Sequence, residues 1–287
     1  MASRLACRAG MGSVNGHFDF GWPRWAVMWM LAFAVFGALK LLSWLSRPSA
    51  HIPTWKHLAF LLAWPGMNAG AFLSTPAASV VRVTSREWFM ATFKTSLGVS
   101  LTVAAFHSGC RLPSFVAGWL AVTGLVLTLH CGSFHLLSCF WRTCGLQATP
   151  IMNSPLAATS VSDFWSRRWN LAFRDLTSRF VVRPLSRPQG ATAAVFAGFV
   201  ISGLIHDLVM SVPAGGGYGG PTLYFVGQGI ATWIEHASRG RRVDLSTGVP
   251  GRLWAWAVVL LPTPLLLHKP FIDRVILPFV TALGELS

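Results

Sequence analysis

The sequence predicts an all-α polytopic membrane protein with seven or eight membrane helices plus an amphipathic interfacial helix. Three observations carry this. Of 287 residues, 53% are hydrophobic and 11% charged, against about 25% charged in an ordinary soluble domain. Mean hydropathy is +0.53, and the apolar runs approach the ~20 residues a helix needs to cross a hydrocarbon core; barrel strands would alternate polar and apolar positions instead. The 14 Trp suit a membrane interface, where indole rings concentrate.

Taken in order, residues 1–23 read as a solvated N-terminal tail, and 24–287 as a single membrane domain. Residues 24–45, "RWAVMWMLAFAVFGALKLLSWL", give the first span, with Lys40 placed to snorkel toward the surface. The run 56–73 contains "WPGMN", where Pro65 and Gly66 predict a kinked or re-entrant helix. Further spans are expected at 94–110, 115–141, 191–212, 221–238 and 252–268, and a short final segment at 271–285. Of the five Cys, Cys110, Cys131 and Cys139 fall within these spans and read as small hydrophobes rather than a disulfide framework. The "LAC" at 5–7 lacks the preceding apolar region of a lipoprotein signal.

The net charge of +14 is spread between apolar runs and comes with no nucleic-acid-binding motif, so it points to membrane topology and anionic ligands. If the kinked second segment and the last segment both cross, most Lys and Arg fall on the N-terminal side, which predicts a cytoplasmic N-terminus. The uncharged loop "PAGGGYGGP" at 213–221 then lies outside. The longest non-membrane stretch, 142–190, is cytoplasmic on the same reading. Within it Ser162 is the expected N-cap of an amphipathic helix ended by Pro184, with Trp165, Trp169, Phe173, Leu176 and Phe180 on one face. Asp163, Arg167, Asn170 and Arg174 line another.

Two stretches carry candidate chemistry. "SGLIHDL" at 202–208 puts His206 inside a span, where an ionisable group belongs in a protein interior or wet cavity, as neutral imidazole. It serves there either as a base or as an interhelical hydrogen-bonding group. Asp207 is adjacent, and neighbouring helical side chains do not face each other, so no His-Asp dyad is expected. In "SVSDFWSRRWN" at 160–170, Asn170 reads either as a solvated polar residue or as part of a site. Arg167 and Arg168 read as positive-inside residues or as a grip on phosphate. His130 and His135 lie five apart and do not stack on one α-helical face, so no metal site is expected. There is no HExxH, GxSxG or Walker pattern.

"NSPLAATSVSDFWSRRWN" at 153–170 resembles the signature of wax synthase-like acyltransferases of the membrane-bound O-acyltransferase (MBOAT) superfamily. "SGLIHDL" resembles the second signature, Ser-Gly-x-x-His. "WPGMN" and "LHCGSFHLL" are similar to weaker family motifs, and all four occur in the family's order, between about residues 60 and 240. Ser166 stands where Gly is usual and Asp207 where Glu often follows the His. The resemblance implies an MBOAT-like fold and acyl transfer from acyl-CoA, a co-substrate rather than a cofactor, to a lipid-soluble alcohol. It makes His206 the catalytic base and Asn170 an active-site residue, and it leaves a long-chain alcohol, a sterol, diacylglycerol or a hydroxylated natural product as acceptor. Trp165, Arg167, Arg168, Trp169, Arg174 and Asp207 are the candidate substrate-binding residues, the arginines for the CoA phosphates. A transporter or proton relay would also keep a His in mid-membrane.

One expectation conflicts with another. At 1.5 Å per residue, a helix entering the membrane near residue 191 carries His206 about 22 Å inward, beyond the reach of Asn170 on a surface helix.

Overall fold

The computed structural model of the protein describes residues 21–46, 52–74, 80–108 and 112–285. Most of the N-terminal tail and Cys110 lie outside these residues. The described chain is helical throughout. Five helices are long and apolar enough to cross a membrane: α1 (Arg24–Leu45), α4 (Ser85–Ser108), α5 (Ser114–Thr143), α8 (Ala191–Ala214) and α10 (Gly248–Leu266). Their large apolar side chains point outward, Phe33, Leu45, Phe89 and Leu253 among them, as suits a lipid-facing surface. A sixth helix, α9 (Gly220–Ser238), spans 19 residues but buries Gln228 and Glu235, and packs along α8.

Small residues set the closest helix approaches. A β-carbon on Gly98 of α4 would lie 2.5 Å from the Thr128 nitrogen and 2.7 Å from the Gly124 carbonyl oxygen of α5. Backbone contact of this kind is how membrane helices pack without a hydrophobic driving force between them.

The segment around "WPGMN" is broken, as its Pro and Gly predict: α2 (Thr54–Ala63) and α3 (Ala69–Ser74) flank an irregular stretch. It does not cross. Trp44 Nε1 donates to His57 Nδ1 at 3.1 Å, Trp141 Nε1 to the Ala63 carbonyl at 2.9 Å, and Arg142 Nε to the Val81 carbonyl at 3.1 Å. The hairpin therefore stays beside the last turns of α1 and α5. Lys40 does not snorkel: it is 2% exposed, and its Nζ donates to the carbonyls of Trp64, at 2.6 Å, and Gly66, over the Phe60 ring. Ser43 Oγ donates to the Met67 carbonyl. A break in the ladder frees carbonyls that must be satisfied away from water, and these two side chains of α1 satisfy them.

The hairpin changes the relation expected between the N-terminus and the 142–190 region. The C-terminal end of α1 meets the 142–190 region, with Arg179 donating to the Ser46 carbonyl. Its N-terminal end meets the 213–217 loop, with Arg24 Nη1 donating to the Pro213 carbonyl at 2.8 Å. The start of α1 and the 142–190 region thus lie at opposite ends of the bundle and cannot both be cytoplasmic. The final segment, 269–285, also stays at one end. Arg274 donates to the carbonyls of Ala214 and Gly215 at 3.1 Å, and Phe279 packs on Trp25 and Trp29. The charge asymmetry itself survives: Arg179, Arg183 and Arg187 share one end with Arg239, Arg241 and Arg242, and the other carries Arg24, Lys269 and Arg274.

Candidate active site

The expected single amphipathic helix is two helices joined by a sharp break. The first, α6, runs Val161–Asp163 and continues as a π-helical turn, Phe164–Arg168. Its N-cap is Ser160, not Ser162: Ser160 Oγ accepts from the Asp163 N–H at 3.0 Å. The buried carboxylate of Glu235 accepts from the N–H groups of Val161 and Ser162 at 2.7 and 3.2 Å, completing the satisfaction of this helix start. The second, α7, runs Leu171–Thr177 and continues through a π turn, Ser178–Val182, to Arg183–Gln189. Pro184 does not end it: the helix runs through Pro184 directly from the π turn, and Gly190, at φ +83°, ends it.

Asn170 occupies the break, in the left-handed region at φ +42°, which Asn tolerates better than most residues. Its Oδ1 accepts from the Phe173 N–H at 3.2 Å and so caps α7. That use of the oxygen leaves the amide –NH2 to be offered elsewhere. Residues 151–153 hold the break open: the Asn153 N–H donates to the Arg168 carbonyl at 2.8 Å and the Leu171 N–H to the Ile151 carbonyl at 2.9 Å.

The break lets both pieces turn toward α8 and α9 around a cavity of about 990 Å³. Trp165, Trp169, Asn170, Arg174 and His206 all line it. The cavity runs along α8 from Ala191 to His206, and the Asn170 segment reaches inward through Trp165, whose ring lies 5.5 Å from that of Phe225, the neighbour of His206. One part of the wall carries His206, Phe225, Phe199 and Ser202; another carries Arg174, Gln189, His236 and Arg239.

His206 closes the α-helical part of α8, just before a π turn, Asp207–Ser211. Its Nδ1 lies 2.7 Å from the Ser202 carbonyl oxygen. A carbonyl only accepts, so Nδ1 carries the proton, and in a neutral ring the lone pair is then on Nε2. The ring packs against Phe225 at 4.6 Å between centroids. Gly203 permits this: a β-carbon there would lie 2.7 Å from Thr222 Cα on α9. In "SGLIH" the Ser supplies the carbonyl that sets the imidazole's tautomer and the Gly supplies the close approach.

The remaining candidates sit elsewhere. Arg167 Nε and Arg168 Nε donate to the two oxygens of Asp163 at 2.8 and 2.5 Å, and neither arginine lines the cavity. Burial tends to raise the Asp163 pKa, but the Arg168 bond, the Thr159 N–H and the Arg167 bond outweigh it and hold the carboxyl below its usual range. Asp207 also turns away from the cavity. It accepts from the Gly219 and Thr222 N–H groups at 2.9 and 3.0 Å, from Thr222 Oγ1, and from Ser211 Oγ at 2.8 Å. It knots the loop after α8 rather than contacting the cavity, and no His-Asp pairing forms.

Among the described residues one group could share a metal ion, Glu87, His135 and Cys139. Both His135 nitrogens are engaged, Nδ1 by Lys94 at 3.5 Å and Nε2 by Glu87 at 3.4 Å, and Arg142 holds Glu87. The group reads as a buried polar tie between α4 and α5. Sequence reasoning missed Phe199, Ser202, Phe225, His236 and Arg239 as cavity residues, and Glu235 as the brace of α6. Of these only Ser202 carries a local signal, as the first residue of "SGLIHDL".

Among helices long enough to cross a membrane, one cavity thus brings together an imidazole protonated on Nδ1, a carboxamide and an arginine-bearing wall. Comparison with known proteins places the chain more closely. Residues 148–226, the segment that holds both motifs, match the membrane bound O-acyl transferase family. The chain is 34% identical over 131 residues to the probable long-chain-alcohol O-fatty-acyltransferase 1 of Arabidopsis thaliana, covering 43% of this chain and 38% of that protein. It is 35% identical over 74 residues to the long-chain-alcohol O-fatty-acyltransferase of Simmondsia chinensis, 23% of this chain and 21% of that one. The acyl-CoA–sterol O-acyltransferase 1 of Arabidopsis thaliana is 29% identical over 118 residues, 39% and 34% of the two chains. The matches thus span well under half the length of these curated relatives. No solved structure matches.

Proposed function

We propose that the protein transfers a fatty acyl group from acyl-CoA to the hydroxyl of a long-chain alcohol, with His206 as general base. The observation that carries this reading is the hydrogen bond from His206 Nδ1 to Ser202, which leaves a basic Nε2 on a residue of a largely apolar cavity shared with Asn170. An alcohol is a weak nucleophile until its proton has an acceptor. Nε2 takes that proton as the hydroxyl oxygen attacks the thioester carbonyl. The Asn170 –NH2 donates to the oxyanion of the tetrahedral intermediate, a contribution of about 3 kcal/mol for such donors in a dry site. Collapse breaks the C–S bond, and the imidazolium returns its proton to the departing CoA sulfur, giving ester and free CoA.

The polar wall fits the other half of the donor. Arg174, whose Nε also meets Asp175 Oδ1 at 3.0 Å, and Arg239 line the cavity, whereas Arg167 and Arg168 turn to Asp163 outside it, so the first two are better placed for CoA phosphates. The arginine-rich end is then cytosolic, where acyl-CoA is found, and the start of α1 faces the opposite side. A sterol acceptor is the second reading, favoured by the relative of that specificity.

The test offers palmitoyl-CoA and a panel of long-chain alcohols and sterols to the purified protein in detergent, with products read by mass spectrometry. Ester and free CoA are expected in equal amounts, and His206→Ala is expected to abolish both without unfolding. An active His206→Ala variant, or palmitoyl-CoA carried across a proteoliposome without ester, overturns the reading.

A further inference from the structure

Gln228 has no place in the chemistry above, is fully buried (0% exposed) and uses both ends of its amide. Its Nε2 donates to the Val258 carbonyl of α10 at 2.8 Å. That carbonyl is available because its ordinary helical partner, four residues on, is Pro262, which has no N–H. Its Oε1 accepts from the Trp165 indole Nε1 at 3.0 Å. Since a carbonyl only accepts and an indole only donates, the amide has one permitted orientation. Trp165 in turn meets Phe199 and Phe225 at 6.0 and 5.5 Å between ring centroids, and Phe225 is the ring packed on His206. A proline-made vacancy on α10 is thus linked through one amide and two aromatic rings to the imidazole.

We propose that Gln228 is a positioning residue for acyl transfer: by clamping the Trp165 indole to the Val258 carbonyl it fixes the aromatic wall beside His206 and so the placement of the reacting groups. This rests on the acyl-transfer reading of the cavity. The indole shapes the space next to Nε2 without supplying or accepting a proton, so loss of the clamp acts on turnover more than on capture of the donor at the arginine wall.

Three variants test it. Gln228→Leu removes both bonds, Trp165→Phe removes the donor and keeps an aromatic ring, and Gln228→Glu keeps the acceptor for the indole. Gln228→Leu is expected to lower kcat about tenfold, in line with a lost buried hydrogen bond, with KM for palmitoyl-CoA changed less than about twofold. In the Trp165→Phe background the same change is expected to cost under about twofold more, because coupled residues are not additive. Gln228→Glu is expected to regain activity relative to the wild type at the same pH as pH falls, with its melting temperature followed alongside, since only the protonated carboxyl can donate to Val258 while accepting from the indole. Unchanged kcat in Gln228→Leu, full additivity, or a flat pH response in Gln228→Glu overturns the proposal. A second readout does not depend on turnover: in protein labelled with 5-fluorotryptophan, the Trp165 fluorine signal, assigned as the one missing from Trp165→Phe, is expected to shift in Gln228→Leu. If the wild-type protein makes no ester, the acyl-transfer reading fails and the fluorine signal alone decides whether Gln228 holds the ring; an unmoved signal overturns the clamp.

Discussion

Replacing Gly203 with Ala tests whether helix approach sets the histidine's surroundings. The added β-carbon would lie 2.7 Å from Thr222 Cα and 3.3 Å from its carbonyl oxygen, whereas carbon atoms rest at about 3.5–4.0 Å. Backbone cannot swing aside as a side chain would, so α8 and α9 must part by about 1 Å at this crossing. Overpacking of that kind costs about 1–3 kcal/mol. The gap opens one turn from His206, whose Phe225 contact bridges the same two helices, and a misplacement of about 1 Å can cost about a hundredfold in rate. Gly227→Ala is the control: it lies on α9 with nothing within 4 Å of the added carbon, and it is expected to be neutral or slightly stabilising. Thermal unfolding in detergent and ester formation, measured on both variants, check this. A Gly203→Ala protein with wild-type stability and turnover would refute the argument that this contact places the imidazole.

Three further outcomes are expected. At Asn170, Ala loses the cap, costing about 1 kcal/mol, and adds left-handed strain of about 1–2 kcal/mol, whereas Asp keeps the capping oxygen and Gly relieves the strain; if the –NH2 serves the oxyanion, all three are inactive although Asp and Gly remain folded, and an active Asp variant refutes that role. Arg174→Gln and Arg239→Gln are expected to raise KM for palmitoyl-CoA by up to about tenfold, while Arg167→Gln leaves it within about twofold; the reverse order in steady-state kinetics would return the phosphates to the Asp163 pair. The Asp163 carboxyl titrates lower when folded than when unfolded, so its contribution is present above the unfolded pKa and is lost as pH falls through the folded one; Asp163→Asn is expected to flatten the acid limb of an unfolding-versus-pH profile, which thermal melts across acidic pH would reveal.

What could be read ahead of the structure was whatever the chain encodes locally. The run 24–45 is apolar, follows Pro23 and coincides with α1; Pro65 and Gly66 foretold the break between α2 and α3. The join at Asn170 was hidden because its left-handed backbone is imposed from residues 151–153, far along the chain, while the apolar spacing of Trp165, Trp169, Phe173 and Leu176 imitates one continuous helix. The π turns after His206 and within 161–182 escaped for a related reason, since the hydrophobic period hardly distinguishes one extra residue in a turn. His206 and Asn170 stood out through motif resemblance, yet their meeting at one cavity depends on that join. The pairing of Arg167 and Arg168 with Asp163 was hidden because a guanidinium beside a carboxylate four or five residues away looks, in one dimension, as available as any other.

The hairpin held by Lys40 and Ser43 enters and leaves the bundle beside the same helix ends, so it contributes no net traverse to the fold. An affinity handle, fluorescent reporter or glycan acceptor placed ahead of Arg24 therefore joins the bundle at the end opposite Arg179 and Arg239, and under the proposed reaction it would report on the side that acyl-CoA does not reach.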